Sequence, residues 1–190
     1  MSTTTPTVGR TERTRARLLT AALDLFARQG YDRTTVAQIA SAAGVTEMTF
    51  YRHFGSKEAL VVDDPYDPLI ASAIGDQPTD LPPLTRAVHG IRAAWRGLPI
   101  TEEAPVRERV AIAAATPSLA AAVRSNTAAT EAAITAELVA GGSRPADAAI
   151  AAAAVMSALM TALLQWGSTG DGSLSDAIER ALDVLAARDA

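Results

Sequence analysis

The chain has 190 residues, of which 48% are hydrophobic and 20% are charged, and its formal net charge at pH 7 is −4. A chain of this length can bury a sizeable hydrophobic core in one domain or two. The absence of cysteine excludes disulfides, thiolate metal sites and cysteine nucleophiles. Its two histidines, His53 and His89, lie too far apart in sequence to hold a metal ion from one helix. The sequence therefore predicts neither a metal site nor a bound cofactor.

Charge is unevenly distributed along the chain. Residues 1–60 carry eight basic and five acidic side chains, a net charge of +3, whereas residues 61–190 carry nine basic and sixteen acidic ones, a net charge of −7. A basic amino-terminal part on an acidic body is typical of a protein that contacts a polyanion at one end, although charged stretches are often only solvated faces. The first residues lack the apolar core of a secretory signal, so we expect a cytoplasmic protein.

The amino-terminal third reads as three helices and the start of a fourth. Residues 1–9 are nearly free of apolar side chains and are predicted to form a flexible arm. The spacing of Leu18, Ala22 and Phe26 predicts a first helix over residues 11–29. Basic side chains at the start of this helix, which oppose the helix dipole, hint at an external partner or serve only for solubility. These are Arg10, Arg13 and Arg17.

A second and a third helix follow in quick succession. Thr35, with Gln38 three residues later, forms the pattern of a capping box at the start of the second helix. Gly44 is predicted to end that helix in a left-handed conformation, and Thr46 to cap a third helix that runs to about His53. Two helices joined by three residues, with a glycine at the turn, are the helix-turn-helix arrangement.

Prolines then mark a change of domain. Five of them fall between residues 63 and 83, where each removes a backbone donor and restricts the residue before it. We therefore predict a DNA-binding domain over residues 10–62, a proline-rich connection with a short helix over residues 63–83, and a helical domain over residues 84–190. Helices are predicted in that last domain at 84–97, 102–115, 118–140, 146–166 and 174–187, and no strand is predicted anywhere.

The helix predicted at 146–166 has two interpretations. Residues 148–164 carry no charged side chain, and the helix approaches the length of a membrane span. Its many alanines are weakly apolar, however, and no basic or paired aromatic anchors frame it. We favour a core helix that reaches a subunit interface, and no membrane insertion. Together with the apolar stripe of the helix at 174–187, it would form half of a four-helix bundle in a homodimer.

The exposed face of the third helix carries groups that suit DNA. A helix fits the major groove, where its amino-terminal residues reach base edges, and hydroxyls at helix N-termini can bind phosphate oxygens. We expect Glu47 to accept from cytosine, Thr49 to touch a thymine methyl group and Arg52 to bind guanine or phosphate. The full set of candidate DNA-binding residues is Thr34, Thr35, Thr46, Glu47, Met48, Thr49, Tyr51, Arg52, His53 and Lys57.

Several motifs in this region resemble one family. They are Leu25-Phe26-Ala27-Arg28-Gln29-Gly30-Tyr31, Thr34-Thr35-Val36, Ile39-Ala40, Ala43-Gly44-Val45 and the run from Phe50 to Leu60. Their order and spacing over about residues 13–61 resemble the amino-terminal domain of the tetracycline-repressor (TetR) family.

The resemblance implies an all-α fold, with a three-helix helix-turn-helix domain and a carboxy-terminal helical domain for ligand binding and dimerisation. It further implies a homodimeric repressor that is released from a palindromic double-stranded DNA operator by a small-molecule effector. The DNA contacts that it implies fall on Thr34, Thr35, Thr46, Met48, Thr49, Tyr51, His53 and Lys57. Met48 stands where the family often has glycine, so the base preference of relatives does not carry over.

The resemblance also implies an effector site among the middle helices, where large or adaptable side chains stand in an alanine-rich setting. The candidates are His89, Trp95, Met156, Met160 and Trp166, although ordinary core packing explains each of them too. Basic residues nearby could meet an acidic effector, but we expect them to pair with Glu102, Glu103 or Glu108. They are Arg92, Arg96, Arg107 and Arg109.

The sequence bears on two other classes of function. An enzyme lacks support, because the sequence offers no cysteine, no histidine paired with carboxylates and no phosphate-binding glycine loop. A non-enzymatic small-molecule carrier, or a membrane-associated sensor built on the helical carboxy-terminal domain, is the alternative to a regulator. Detergent-free solubility of the full chain would count against membrane insertion.

Overall fold

The computed structural model of the chain describes residues 9–63, 66–98 and 103–186, and all regular secondary structure in these residues is helical. The predicted all-α fold is thereby confirmed. The described chain divides into an amino-terminal unit that ends at Asp63 and a carboxy-terminal unit. Most of the arm predicted at residues 1–9 lies outside the described residues, as does Glu102, so their predictions stay open.

The amino-terminal unit contains four helices: α1 (Arg10–Gln29), α2 (Val36–Ala42), α3 (Glu47–His53) and α4 (Ala59–Val62). The apolar stripe of α1 packs against α2 and α3 around one core. Buried side chains from all four helices form it, among them Leu18, Phe26, Ile39, Phe50 and Leu60.

Local hydrogen bonds explain where α2 and α3 begin and end. The Thr35 hydroxyl accepts from the Gln38 backbone amide at 3.2 Å, and the side-chain oxygen Oε1 of Gln38 accepts from the Thr35 backbone amide at 2.9 Å. Thr46 accepts from the Thr49 amide at 3.2 Å. Gly44 adopts a φ of +64°, a conformation that few side chains tolerate. The caps and the turn predicted from the sequence are confirmed.

The carboxy-terminal unit contains six α-helices in its described residues. They are α5 (Asp67–Gly75), α6 (Pro83–Gly97), α7 (Ala104–Ala115), α8 (Ala120–Ala140), α9 (Pro145–Thr169) and α10 (Leu174–Ala186), with a short 3₁₀ helix, Pro117–Leu119, before α8. The sequence interpretation assigned α5 to a connecting segment, but the helix packs against α6 and α8 as part of this unit. Ile74 is fully buried there, which shows why α5 belongs to the core.

Helix α9 is the central element of the carboxy-terminal unit, and it packs against α6, α7, α8 and α10. Ala148, Ala152 and Val155 are fully buried on its inner face. By length and composition it is the one helix among the described residues that could cross a membrane. Its other face is uncovered within the protomer, since Ile150 is 68% exposed. The helix is therefore buried on one side rather than on every side.

Two arginines of α6, Arg92 and Arg96, pair with α10. Arg92 binds Glu179 at 2.7 Å and Asp183 at 2.6 Å, and Arg96 lies 3.8 Å from Glu179. The predicted pairing of Arg92 and Arg96 with Glu103 or Glu108 is therefore wrong, because α6 packs against α10 through this face, whereas Glu102 lies outside the described residues.

Helix α7 has no buried side chain; it packs against α9, with Val110 close to Gly167, and polar contacts hold its amino-terminal end. Arg107 donates to the carbonyls of Gly170 at 2.7 Å and Gly172 at 3.0 Å, and its guanidinium lies 4.5 Å from the centre of the Trp166 ring. Glu103 accepts from the first amide of α10, that of Leu174, at 3.1 Å. Arg107 thus binds the α9–α10 turn, where a cation favourably meets the carboxyl end of α9.

Candidate nucleic-acid interface

The orientation of α3 is set by Phe50. This ring is fully buried, with the Phe54 ring 5.9 Å away and the Tyr51 ring 5.4 Å away in an edge-on arrangement. Because successive helical residues are about 100° apart, Met48 and Arg52 lie on the side opposite Phe50. Met48 is 76% exposed and Tyr51 is 49% exposed, and Arg52 is exposed as well. The outer face of α3 is thus open to a partner.

Hydroxyl groups surround the amino-terminal ends of α2 and α3. Thr35 and Thr46 are exposed, and the Thr46 and Thr49 hydroxyl oxygens lie 3.0 Å apart. The Thr35 oxygen accepts the amide hydrogen of Gln38, which leaves its own hydrogen free to donate to a phosphate oxygen. Glu47 is exposed in the first turn of α3 beside these hydroxyls. His53 is only half-buried at the other end of the helix.

Thr34 faces inward, unlike its neighbour Thr35. It is buried, and its hydroxyl donates to the Gly30 carbonyl at 2.8 Å and accepts from Gln29 at 3.2 Å. Its amide donates to the Tyr31 carbonyl at 3.1 Å. All of these groups are occupied within the unit, so Thr34 supports the α1–α2 turn instead of offering its hydroxyl to phosphate.

Lys57 is half-buried and spans the same turn. Its ammonium group donates to the carbonyls of Tyr31 at 3.0 Å and Thr34 at 2.9 Å, and lies 4.0 Å from the centre of the Tyr31 ring. Burial of the Tyr31 hydroxyl, followed by the nearby Glu58 carboxylate, raises its pKa, so the ring beneath the ammonium stays neutral. Of the three ammonium hydrogens, one remains available for a phosphate.

Replacing Lys57 with methionine is expected to lower the free energy of unfolding of the amino-terminal unit by about 1–3 kcal/mol. The variant loses two hydrogen bonds from a charged donor and the contact with the Tyr31 ring. Urea denaturation followed by circular dichroism measures the loss. Arg28→Met is the matched control, because Arg28 is an exposed cation at the end of α1. Equal midpoints for the two variants would contradict the role of Lys57 in the turn.

Two arginines of α1 position the helix-turn-helix, a role that the sequence did not reveal. Arg15 donates to the His53 carbonyl at 2.8 Å and lies 4.1 Å from the centre of the Phe54 ring. Arg17 donates to the Ala43 carbonyl. Each guanidinium meets the carboxyl end of a helix, where a cation is favoured by the helix dipole. Arg17 therefore serves the fold, whereas the sequence predicted either an external partner or a role in solubility.

The five candidate effector-binding residues differ in burial. His89 is exposed, so it does not line an enclosed site in this structure. Trp166 is buried and donates to the Gly172 carbonyl at 3.3 Å, and Trp95 donates to the Ser175 hydroxyl at 3.2 Å. Trp166 belongs to the hydrophobic core, and Trp95 and Met156 pack against it. Met160 is half-buried. Core packing therefore accounts for most of these side chains in the observed state.

Comparisons with known families match both units. Residues 18–63 match the family described as bacterial regulatory proteins, tetR family, and residues 81–190 match the family described as MftR C-terminal domain. Together these two matches cover most of the chain.

Two named transcriptional regulators are similar to parts of the chain. The HTH-type transcriptional regulator TcmR of Streptomyces glaucescens is 43% identical over 83 residues, which are 43% of this chain and 37% of TcmR. The HTH-type transcriptional repressor KstR2 of Rhodococcus jostii is 34% identical over 99 residues, which are 47% of this chain and 48% of KstR2. The chain thus spans less than half the length of each of these relatives.

Solved structures share the fold over nearly the whole chain. SmeT, the repressor of the Stenotrophomonas maltophilia multidrug efflux pump SmeDEF, has a TM-score of 0.60 at 21% identity and covers 94% of this chain and 91% of its own. NalD, the secondary repressor of the MexAB-OprM multidrug efflux pump in Pseudomonas aeruginosa, has a TM-score of 0.56 at 24% identity over 92% of this chain and 94% of its own.

Proposed function

The chain belongs to the TetR family of bacterial regulatory proteins, and on that premise we propose that it is a homodimeric repressor that a small molecule releases from a two-fold DNA operator. A member of this family is a DNA-binding transcriptional regulator and not an enzyme. The observation that carries the proposal is the outward face of α3, where Met48 and Arg52 lie opposite the buried Phe50. This face has the size and chemistry to enter the major groove.

Contacts on this interface fall into two classes. Met48 and Arg52, at the centre of the outer face, would meet base edges, together with Glu47 and Thr49. Thr35, Thr46, Tyr51, His53 and Lys57 stand around that centre, where phosphates would lie. Phosphate contacts fix the register of a protein on DNA, whereas base contacts carry its sequence preference. Thr34 would not contact DNA through its hydroxyl; it would support the interface by holding the α1–α2 turn in place.

Selection of bound sequences from random DNA, with the purified full chain, tests the proposal directly. We expect a two-fold operator whose half-sites lie about 34–36 Å apart, or a multiple of that distance. Recovery of no enriched sequence, at a salt concentration where the protein is folded, would contradict DNA recognition. Enrichment of a single half-site would contradict the proposed homodimer but would still support DNA recognition.

Substitution of Met48 by alanine is expected to change the sequence preference of binding rather than to weaken binding to all sequences. The exposed thioether offers an apolar contact to a base edge, and its loss should relax discrimination at that base pair, where a mismatch costs at most about 1–3 kcal/mol, or roughly 5- to 150-fold. Repeated selection with the variant measures the change at each operator position. Arg28→Ala, on the exposed side of α1, is the control and should leave the preference unchanged.

Dimerisation through α9 and α10 is supported by the apolar side chains that these helices leave uncovered. Ile150 and Val184 are each 68% exposed, and Leu164 is exposed between them in sequence. The exposed positions of α9 also include Ala153, Ser157 and Thr161, small residues that let a second helix approach closely. Large apolar groups on a soluble surface are typical of an interaction site.

An effector would bind among the helices of the carboxy-terminal unit. Helix α7 has no buried side chain, so it can move at lower cost than the helices around α9. Such a movement would expose Trp95, Met156, Met160 and Trp166, whereas His89 already faces solvent. A complex of SmeT with triclosan has been solved, and SmeT is 23% identical to this chain with a TM-score of 0.61. That likeness concerns the fold and does not identify the effector here.

Intrinsic fluorescence offers a direct screen for effectors. Both tryptophans of the chain, Trp95 and Trp166, lie in the carboxy-terminal unit. A compound that binds among α6, α7 and α9 is expected to change their emission and to release the operator at the same concentration. A compound that releases DNA without any change in emission would contradict this location.

The alternative of a membrane-associated sensor rests on α9. Four other helices pack against this helix, which favours a place in the core of a soluble, cytoplasmic protein. Purification of the full chain without detergent as a defined dimer would exclude the alternative. A simple carrier of small molecules would be favoured instead by effector binding without any DNA binding.

A further inference from the structure

Helices α9 and α10 border a groove of about 770 Å³ on the carboxy-terminal unit. Four carboxylates line it: Asp171, Asp176, Glu179 and Asp183. Of the described residues that line the groove, only Arg180 is basic. The groove is therefore acidic, with one cation on its wall.

The four carboxylates have different partners within the protomer. Arg92 binds Glu179 and Asp183 from α6. Asp176 accepts from the Ser173 hydroxyl at 2.7 Å and from the Ser173 amide at 3.2 Å, which caps α10. Asp183 nevertheless remains 72% exposed at its side chain, and only its Oδ1 atom contacts Arg92. The Oδ2 atom is left to meet a further cation.

Arg180 forms no salt bridge among the described residues, although its charge, after the Ser173 hydrogen bonds, also lowers the pKa of Asp176. Among residues 9–63, 66–98 and 103–186, no carboxylate oxygen lies within 4.0 Å of its guanidinium. It stands on the exposed side of α10, three residues after Ala177 and four before Val184, and these three line the groove together. The cation thus lies within the stripe that carries the uncovered apolar Val184.

We propose that α10 of a second copy of this chain occupies the groove, and that Arg180 of each protomer pairs with the acidic side chains of the other groove, foremost Asp183. The inference rests on the proposed homodimer and specifies what aligns it. In a two-fold interface the same surface appears on both sides, so two acidic grooves face each other. Close approach of like charges would oppose association, and two reciprocal Arg180 contacts remove that repulsion. Val184 and Leu164 supply the apolar area around them.

Replacing Arg180 with glutamate tests the pairing. The dissociation constant of the dimer, measured by sedimentation of the full chain, should rise at least about tenfold, because two attractive contacts become repulsive. Arg180→Gln should raise the dissociation constant less. It should also make the dissociation constant depend less on salt concentration between about 0.05 and 0.5 M. Arg124→Glu, the same change at an exposed position of α8, should leave it unchanged. Circular dichroism and thermal unfolding of each variant verify that the protomer is folded.

Val184→Asp separates this inference from the proposed dimer interface. If Val184→Asp dissociates the dimer and Arg180→Glu does so in a salt-dependent manner, the pairing is supported. If Val184→Asp dissociates the dimer but Arg180→Glu binds as tightly as the parent protein, the pairing is overturned and the interface stands. A dimer that survives Val184→Asp would overturn both the Arg180 pairing and the proposed interface. The selection of operator DNA tests DNA recognition independently of either.

Discussion

Replacement of Gly90 by alanine is expected to lower the free energy of unfolding of the carboxy-terminal unit by about 2–3 kcal/mol. A Cβ atom at this position would lie 2.5 Å from the Cα atom of Ile74 and 2.7 Å from its amide nitrogen. Both are backbone atoms of α5, which cannot turn away as a flexible side chain would. The overlap between the added methyl group and the α5 backbone is removed only if α5 and α6 separate. The fully buried Ile74 would then lose contacts with the core.

Helix α6, which contains Gly90, also contains a matched control, Gly97. A Cβ atom at Gly97 would meet nothing within 4 Å, and Gly97 has no positive φ. Gly97→Ala should be neutral or slightly stabilising, because alanine favours helix by up to about 1 kcal/mol over glycine. Urea denaturation followed by tryptophan emission measures both variants. If Gly90→Ala unfolds at the same midpoint as Gly97→Ala, the close approach of α5 to α6 is wrong.

The sequence predicted those features of the site that depend on neighbouring residues. The caps at Thr35 and Thr46 and the turn at Gly44 follow from side chains within three or four positions, so their patterns can be recognised directly. The inward position of Phe50 follows from helical periodicity. For these reasons the helix-turn-helix could be located to within a residue before its structure was known.

Features that depend on distant contacts were not predictable in this way. Adjacent threonines look alike in sequence, but Thr34 is buried by the bonds that it makes with α1. Arg15 and Arg17 reach carbonyls 38 and 26 residues away, respectively, and a long flexible cation can serve either the fold or a phosphate. Arg107 likewise binds the α9–α10 turn, 63 and 65 residues away in sequence. Only the packing of the helices decides between such roles.

Arg86 is the clearest residue of this kind. It lies in the first turn of α6, where an arginine would ordinarily be exposed, yet its side chain is completely buried. One guanidinium nitrogen donates to the carbonyls of Leu138 and Gly141, both at 3.3 Å. These carbonyls lie at the carboxyl end of α8, where the helix dipole favours a cation. Arg86 therefore joins α6 to the end of α8.

Gly141 is the residue that makes room for this guanidinium. A Cβ atom there would lie 2.1 Å from Nη2 and 2.6 Å from Cζ of Arg86. The φ of Gly141 is −82°, a value that alanine adopts without strain. Any destabilisation by Gly141→Ala must therefore come from the contact with Arg86 and not from the backbone.

A double-mutant cycle between these two positions should give a large coupling energy. Arg86→Ala alone is expected to cost about 3 kcal/mol, because it opens a cavity and removes the donor of the Gly141 carbonyl, while the Leu138 carbonyl keeps the Ser143 amide. Gly141→Ala alone should cost about 2 kcal/mol, because its methyl group displaces the guanidinium. In the double variant the methyl group enters space that the guanidinium has vacated. The combined loss should therefore fall short of the sum by more than about 1 kcal/mol.

Urea denaturation of the four proteins in the cycle measures this coupling. Additive losses would mean that Gly141 and Arg86 act independently, and would contradict the contact between them. The control pair is Arg86→Ala with Gly97→Ala, which should be additive because Gly97 meets nothing near Arg86. Coupling between Arg86 and Gly141, but not between Arg86 and Gly97, would show that the contact of α6 with the carboxyl end of α8 depends on the buried Arg86 and on the absence of a side chain at Gly141. A buried arginine of that kind persists only where its neighbour has no side chain.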